Sequence, residues 1–379
     1  MRSQLRELMR IQKAFKDTEI PDSEPFDYPG IDPTITYFDG KLRKGAIIFY
    51  GGDGCAWNTQ TGGCFICPYS IAYEKIGYTQ VNVRNQIEYL RGLESIKDLE
   101  LLYLFPFSSF DEREVSKTNQ QLLWEILSGL DALEYVVFES RPEYITPEIL
   151  RGISEKLPDK KICVFMGLET SDDFVRKYCI NKGFTFKTFH RKCQLLEEYS
   201  MYPCAFVLLK PPFITEKEAI TDCVTTIHDC IDMVLNVIVM CANTSHLTIM
   251  ELLSEMGMYR PPWLWSVVEV IEQLDIPQKR KVQLGGIYTS GKPKNLADYV
   301  QVNNCPAFYE YPHNCGTCDK EISEILADFN LNIFREFPSC SCRGEWEHEL
   351  KTGHAHLRQR LPILYDRLIH YAASRTRGQ

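Results

Sequence analysis

Apolar residues gather into short continuous runs separated by stretches in which they recur every three or four positions. The runs are AIIFY (46–50), LELLYLF (99–105), YVVFES (135–140), ICVFMGLE (162–169), CAFVLLK (204–210) and VLNVIVM (234–240). Each is strand-sized and apolar on both faces, the pattern of a strand covered on both sides in a parallel sheet. Between the runs the period lengthens to that of a helix, as with Leu122, Leu123, Ile126, Leu127 and Leu130 over 119–130. Helix start signals agree. Thr215 and Glu218 in TEKE form a capping box, and Thr146 before Pro147 supplies an N-cap and a proline at the first helical position. Six strands alternating with helices predict an α/β fold with right-handed crossovers, doubly wound or curled into a full or partial barrel. In either form ligands gather at the C-terminal ends of the strands.

Polar residues fall where that rule requires. The first predicted strand runs into GGDGC and then CAWNTQTGGCFIC, which spaces Cys55, Cys64 and Cys67 as C-x8-C-x2-C. The second strand is followed by Ser108 and Ser109, the third by Glu139, Ser140 and Arg141, and the fourth by Glu169 and Thr170. Lys210 closes the fifth, and Asn243, Thr244, Ser245 and His246 follow the sixth. Potential metal ligands and converging polar groups on one rim predict an active site there.

Composition narrows the setting. With 379 residues, 44% hydrophobic and 25% charged, the chain reads as one large globular domain with an appendage. No apolar run approaches the roughly 20 residues that span a bilayer, so no membrane partner is expected. The N-terminal stretch lacks the apolar core of a secretory signal, and a reducing, cytoplasmic location is expected. Fifteen cysteines then read as metal ligands and buried thiols rather than disulfides. Cys163, Cys204, Cys223 and Cys230 fall at strand or helix positions suited to a core. Cys315, Cys318, Cys340 and Cys342 supply four thiolates, enough to close a tetrahedral structural zinc site. An auxiliary iron–sulfur cluster, with Cys305 or His313 as a spare ligand, is the alternative.

Three thiolates at the first loop leave one coordination position open. Catalytic zinc and a [4Fe–4S] cluster both fit that count, but the H-x-E helix that accompanies zinc in deaminases is missing from the sequence. A three-cysteine loop after the first strand of a parallel barrel resembles the radical S-adenosylmethionine (SAM) superfamily, with eight residues in a gap that usually holds three. The longer gap is similar to that of the elongator-catalytic-subunit branch. The stretches FPFSSFDEREVS, ESRPEYIT, GLETSDDFVRKYCINKGFTF, LLKPPFITEKEAI and YRPPWLWSVVEV, with the tail HNCGTCD…CSCRGEW, resemble the archaeosine-forming radical SAM proteins over about 45–347.

That resemblance implies a partial (βα)6 TIM-like barrel over 45–275. A helical lead-in at 1–44 would precede it, and a C-terminal cysteine-rich metal knot with a helical tail at 276–379 would follow. It implies that Cys55, Cys64 and Cys67 bind the cluster, that Ser108, Ser109, Glu169 and Lys210 contact SAM, and that Arg141, with Glu139 beside it, pairs with a carboxylate of SAM or of the substrate. His246, in a rim segment of its own, is read from the residues as a general acid/base or a phosphate contact. The reaction implied is cleavage of a lysine adduct on a 7-deazaguanine base of tRNA to archaeosine. The partners implied are an electron donor such as ferredoxin or flavodoxin and the enzyme that attaches the lysine. One segment departs from the family pattern: CANTSHLTIMELLSEMGMY stands where an Asn-Pro-containing stretch is expected. A related enzyme acting on a different small molecule or modified base therefore stays open. So does a non-enzymatic, metal-stapled tRNA-binding protein. A net charge of −9 is unusual for a nucleic-acid binder, yet 351–379 carries six basic residues against Asp366. Leucines at helical spacing in that tail equally predict a helix packed inward.

Overall fold

In the computed structural model, residues 1–14, 25–52, 54–68, 77–105, 108–287, 301–302, 305–306 and 308–377 are described. The six apolar runs form consecutive parallel strands: β2 (Lys41–Phe49), β3 (Leu101–Phe105), β4 (Tyr135–Glu139), β5 (Lys161–Glu169), β6 (Tyr202–Leu209) and β7 (Asn236–Cys241). Two further strands border them. β1 (Gly30–Phe38) pairs antiparallel with β2, and β9 (Val282–Gly285) continues the parallel order beyond β7. The sheet thus extends past 45–275 at both ends, and the segment before 45 holds a strand as well as a helix. A two-residue strand, β8 (Thr244–Ser245), follows β7 and pairs with Phe308–Glu310.

The two edges of the sheet approach each other. The Gln283 amide of β9 donates to the Tyr37 carbonyl of β1 at 2.7 Å and to the Thr36 hydroxyl at 2.5 Å. Because β1 is antiparallel, this contact lies at the N-terminal end of the parallel strands and closes the floor of a curled barrel.

Side-chain alternation sorts the interior from the helical coat. Phe38, Leu101, Tyr103, Tyr135, Val137, Cys163, Phe165 and Cys204 form an inner cluster joined by Phe105 and Phe206. Phe165 and Phe206 lie 4.7 Å apart between ring centres. The intervening positions of the same strands pack outward against helices in a second, larger core. Burying each such side chain contributes roughly 1.5–3 kcal/mol. The aromatic plug fills the lower barrel and leaves polar side chains at its mouth.

The helices that bear on the site are α1 (Arg2–Ala14), α2 (Ala56–Thr61), α3 (Gln80–Arg91), α4 (Lys117–Ser128), α5 (Pro147–Lys156), α6 (Phe186–Glu198), α7 (Glu216–Cys230), α8 (Ile249–Glu255), α9 (Leu264–Glu272), α10 (Asp319–Asn330), α11 (Cys342–Lys351) and α12 (Leu357–Arg377). Thr146 caps α5 with Pro147 at its first position, and Thr215 with Glu218 forms the capping box of α7. α12 runs unbroken through Pro362, burying Leu357, Leu361 and Leu368. The Pro362 carbonyl accepts from Gln4 of α1 at 3.0 Å.

Candidate active site at the barrel mouth

The cysteine loop begins where β2 ends. Gly51 and Gly52 let it start there, since a Cβ on Gly51 would strike the Tyr78 ring and one on Gly52 would meet the Glu114 carbonyl at 2.9 Å. Cys55 opens α2, which closes on left-handed Gly62 and Gly63, and the Asn181 amide donates to the Gly63 carbonyl at 2.7 Å. Cys55, Cys64 and Cys67 are half-buried, unlike Cys163, Cys179, Cys193, Cys204, Cys223, Cys230 and Cys241, which are buried core residues. Burial pushes the free Cys55 thiol up to about 12, with Glu114 adding to the rise and Arg141 opposing it. Cys64 is raised by the same cause and pulled back by Lys182 and Arg141.

Strand alternation brings acid and base to this loop. Glu139 and Arg141 continue the inward column of Tyr135 and Val137, and Glu169 tops that of Cys163, Phe165 and Gly167. Arg141 is buried, pairs with Glu143 at 2.7 Å rather than with Glu139, and lies 4.9 Å over the Trp57 ring of the cysteine loop. Trp57 in turn donates to the Asn181 carbonyl at 2.7 Å. Glu169 forms a buried ion pair with Lys182, for which Gly167 makes room. Burial pushes the Glu139 carboxyl to about 8, Lys182 pulling it down and Glu169 pushing it up. Glu169 and Lys210 both hold left-handed backbone, at φ 65° and 64°, a strained conformation that concentrates at functional sites.

The remaining expected residues have the following partners. The Ser108 hydroxyl is engaged by Ser140 at 3.1 Å and by the Arg141 amide at 3.4 Å, so it ties the ends of β3 and β4 together. Ser109 is buried, and its hydroxyl, like the Tyr50 hydroxyl and both Glu114 carboxyl oxygens, lacks a well-formed hydrogen bond among the described residues. Glu114 borders Cys55, the Tyr50 and Ser109 hydroxyls face each other near it, and the group fits a polar ligand beside the loop. Lys210 is committed to a buried ion pair with Glu216, whose carboxylate also takes the Ser266 hydroxyl and the Trp263 amide. His246 is held by Glu251 at 2.9 Å at the start of α8. The segment around it reaches the cysteine loop through Gln12 of α1, which sequence reasoning passed over. The fully buried Gln12 amide donates to the Cys64 carbonyl at 3.4 Å and accepts from the Ile249 amide at 2.8 Å.

The second cysteine group is assembled. Sulfur separations are 3.8 Å for Cys315–Cys318, 3.7 Å for Cys315–Cys340, 3.7 Å for Cys318–Cys342 and 3.4 Å for Cys340–Cys342. Four sulfurs about 2.3 Å from one tetrahedral ion stand about 3.8 Å apart, so the group fits a single metal ion. Among the described residues it is the one set of three or more such ligand groups mutually within 4.8 Å. Trp265 donates to Cys342 at 3.2 Å and Asn314 to Cys318 at 3.4 Å, supporting thiolates from outside the ligand set. Trp263 bonds Glu349 at 2.8 Å and Trp346 of α11 bonds Ser266 of α9 at 2.9 Å, so with Trp265 these tryptophans lock the knot to α9. The side chain of Cys305 lies outside the described residues. His313 bonds the Tyr311 carbonyl at 2.8 Å.

The chain is 30% identical to archaeosine synthase subunit beta of Thermococcus kodakarensis over 320 residues, covering 83% of this chain and 94% of that one. It belongs to the family of archaeosine synthase beta subunits. The family's Methanosarcina acetivorans member is 27% identical over 350 residues, 91% of this chain and 95% of the relative. Among solved structures, the radical SAM methyltransferase TsrM of Kitasatospora setae superposes with a TM-score of 0.43 at 12% identity, over 75% of this chain and 62% of that one. No family model matches the sequence. No helix among the described residues is long and apolar enough to cross a membrane.

Proposed function

We propose that this chain is the radical-generating subunit of an archaeosine-forming enzyme. The observation that carries the reading is the half-buried Cys55, Cys64 and Cys67 loop at the mouth of the parallel barrel, faced by Arg141, Lys182, Glu139 and Glu169. Those three thiolates would hold a [4Fe–4S] cluster, which with SAM and an electron from a ferredoxin or flavodoxin would supply 5′-deoxyadenosyl radical chemistry at the barrel mouth.

The chain's own residues do the rest. Arg141 offers a planar guanidinium to a carboxylate, that of SAM or of a lysine adduct, held flat by Trp57. Glu139, neutral below about pH 8, donates rather than repels beside that carboxylate. The Glu169–Lys182 pair fixes the charge opposite Cys64, while Ser109 and Glu114 present unsatisfied polar atoms for the rest of the ligand. The aromatic plug under the mouth excludes water from below. The substrate read this way is a lysine-bearing 7-deazaguanine in tRNA, which the chain cleaves to the amidine of archaeosine. Relatives named as beta subunits support a partner subunit, the lysine-transferring enzyme. The second cysteine group holds Zn2+ and staples the C-terminal helices to the barrel.

The reading is tested by anaerobic turnover. Reconstituted, dithionite-reduced protein is given SAM and tRNA carrying the lysine adduct, and nuclease digests are searched for archaeosine. Deoxyadenosine formed in step with archaeosine supports the proposal. Deoxyadenosine without change in the tRNA transfers the chemistry to another substrate, and no deoxyadenosine at all removes the enzyme.

A further inference from the structure

Two packed helices of this acidic chain carry a marked excess of positive charge. α1 carries four cations and one acid, and α12 five cations and one acid, so these two helices total +7 in a chain of net −9. They pack together, Gln4 reaching both the Pro362 carbonyl and Asp366, the latter at 2.7 Å. On α1 the division between faces is sharp. Leu5, Leu8 and Gln12 are buried, whereas Arg2, Arg6 and Arg10 step along the solvent side one turn apart and Lys13 follows them, all exposed. Successive arginines are separated by about 6 Å along the axis. The acid on this helix, Glu7, pairs with Arg10, which stays 77% exposed.

This stripe leads to the active-site loop. The C-terminal end of α1 abuts it, Gln12 bonding the Cys64 carbonyl and the Met9 carbonyl lying against Gly62. On the far side of the loop the Phe65 amide bonds the Ile180 carbonyl at 2.9 Å, and Tyr365 of α12 bonds the Tyr178 carbonyl. Exposed Lys177 immediately precedes Tyr178, and exposed Arg367 stands on α12.

We propose that the α1–α12 face is the docking surface for the phosphate backbone of the RNA substrate, leading the modified nucleotide to the cysteine loop. The inference rests on the tRNA reading above and adds the surface that delivers the substrate. Its warrant is charge complementarity. Backbone phosphates need cations along one face; Glu218 and Glu255 already hold Arg360 and Arg375 of α12, so the cations offered to phosphate are the exposed Arg2, Arg6, Arg10 and Lys13 of α1 with Arg367 of α12. Continuity with the loop gives the charge a direction.

The experiment measures binding of full-length protein to an unmodified tRNA transcript by fluorescence anisotropy across a salt titration. The triple variant Arg2→Glu, Arg6→Glu, Arg10→Glu is compared with Lys97→Glu, Lys156→Glu, Arg280→Glu, which changes net charge equally at the opposite, strand-N-terminal end of the barrel. The α1 variant is expected to bind at least about tenfold more weakly and to flatten the slope of log K against log salt by about 2–3, near 0.7–0.9 per lost phosphate contact. The opposite-end variant is expected to keep both. The glutamine version of the α1 triple, with an unchanged melting temperature, gives an intermediate slope if charge rather than folding is responsible. Equal affinity and slope in the two glutamate triples would overturn this surface while leaving the catalytic reading intact. Loss of the partner subunit with tRNA binding retained would reassign the face to a protein and equally overturn it. Failure of the wild-type protein to bind tRNA, alone or with its partner, would count against the tRNA reading itself.

Discussion

The Arg141 guanidinium lies 4.9 Å above the centre of the Trp57 ring, joining the end of β4 to the first turn of α2 in the cysteine loop. Trp57 is fixed in turn by its bond to the Asn181 carbonyl and by Gly183, where a Cβ would enter the indole ring. Position of the ligand loop and position of the cation are therefore set by one side chain. Trp57→Ala is expected to slow deoxyadenosine formation by about 100-fold, since misplacement by an ångström is enough for that loss. Trp57→Phe keeps the stacking surface and should recover most of the rate, which a quantitative product assay at equal cluster content will show.

Gly167 is the second such position. A methyl group there would collide with the Lys182 ammonium and crowd the Glu169 carboxylate. Gly167→Ala is expected to break this buried pair and cost about 1–3 kcal/mol by overpacking. Chemical denaturation measures the stability loss. A rate loss greater than that of an equally destabilised variant remote from the mouth would show that the pair also orders the site.

The knot should behave as a structural metal site. Cys340→Ser removes one ligand of four and exposes the Trp265–Cys342 and Trp346–Ser266 contacts to loosening. One tightly bound zinc per chain is expected to be lost, with a red shift of tryptophan emission and faster proteolysis in 331–357. Cluster content at the barrel mouth should be retained.

Stability should depend on pH through Asp222. Burial holds its carboxyl at about 7, the Thr170 hydroxyl at 2.7 Å and Arg176 pulling it down and Asp172 pushing it up. The folded chain therefore holds a proton that the unfolded chain releases near pH 4. This contribution to stability is fully present below that pH and is lost as pH rises through about 7. Asp222→Asn should flatten the fall between pH 5 and 8 and raise the melting temperature above pH 7 by about 2 °C. A melting series across pH checks the sign.

The six central strands were legible because burial on both faces leaves continuous apolar runs. The two edges were not. β1 alternates exposed and buried positions and contains Pro33, and β9 is four residues long with Gln283 inside it. The rim position of Glu139, Arg141 and Glu169 followed from where the strands end, since period-two alternation carries the inward column upward to them. What each rim residue touches did not follow. Lys210 meets Glu216 across a tight turn, whereas Gln12 and Lys182 reach the cysteine loop over 52 and more than 100 residues of sequence. Such contacts depend on how the barrel curls, which local pattern does not encode. The left-handed backbone at Glu169 and Lys210 is likewise a tertiary result, because neither residue type requests it.

The most direct measurement compares iron, acid-labile sulfide and deoxyadenosine formation in the wild-type protein and in the variant Cys55→Ala, Cys64→Ala, Cys67→Ala, both reconstituted without oxygen and reduced in the presence of SAM. The account predicts a cluster and SAM cleavage in the wild type, and neither in the variant, with the zinc of the C-terminal knot retained in both. A variant that still binds the cluster and cleaves SAM, or a wild type whose intact cluster leaves SAM whole, would contradict it.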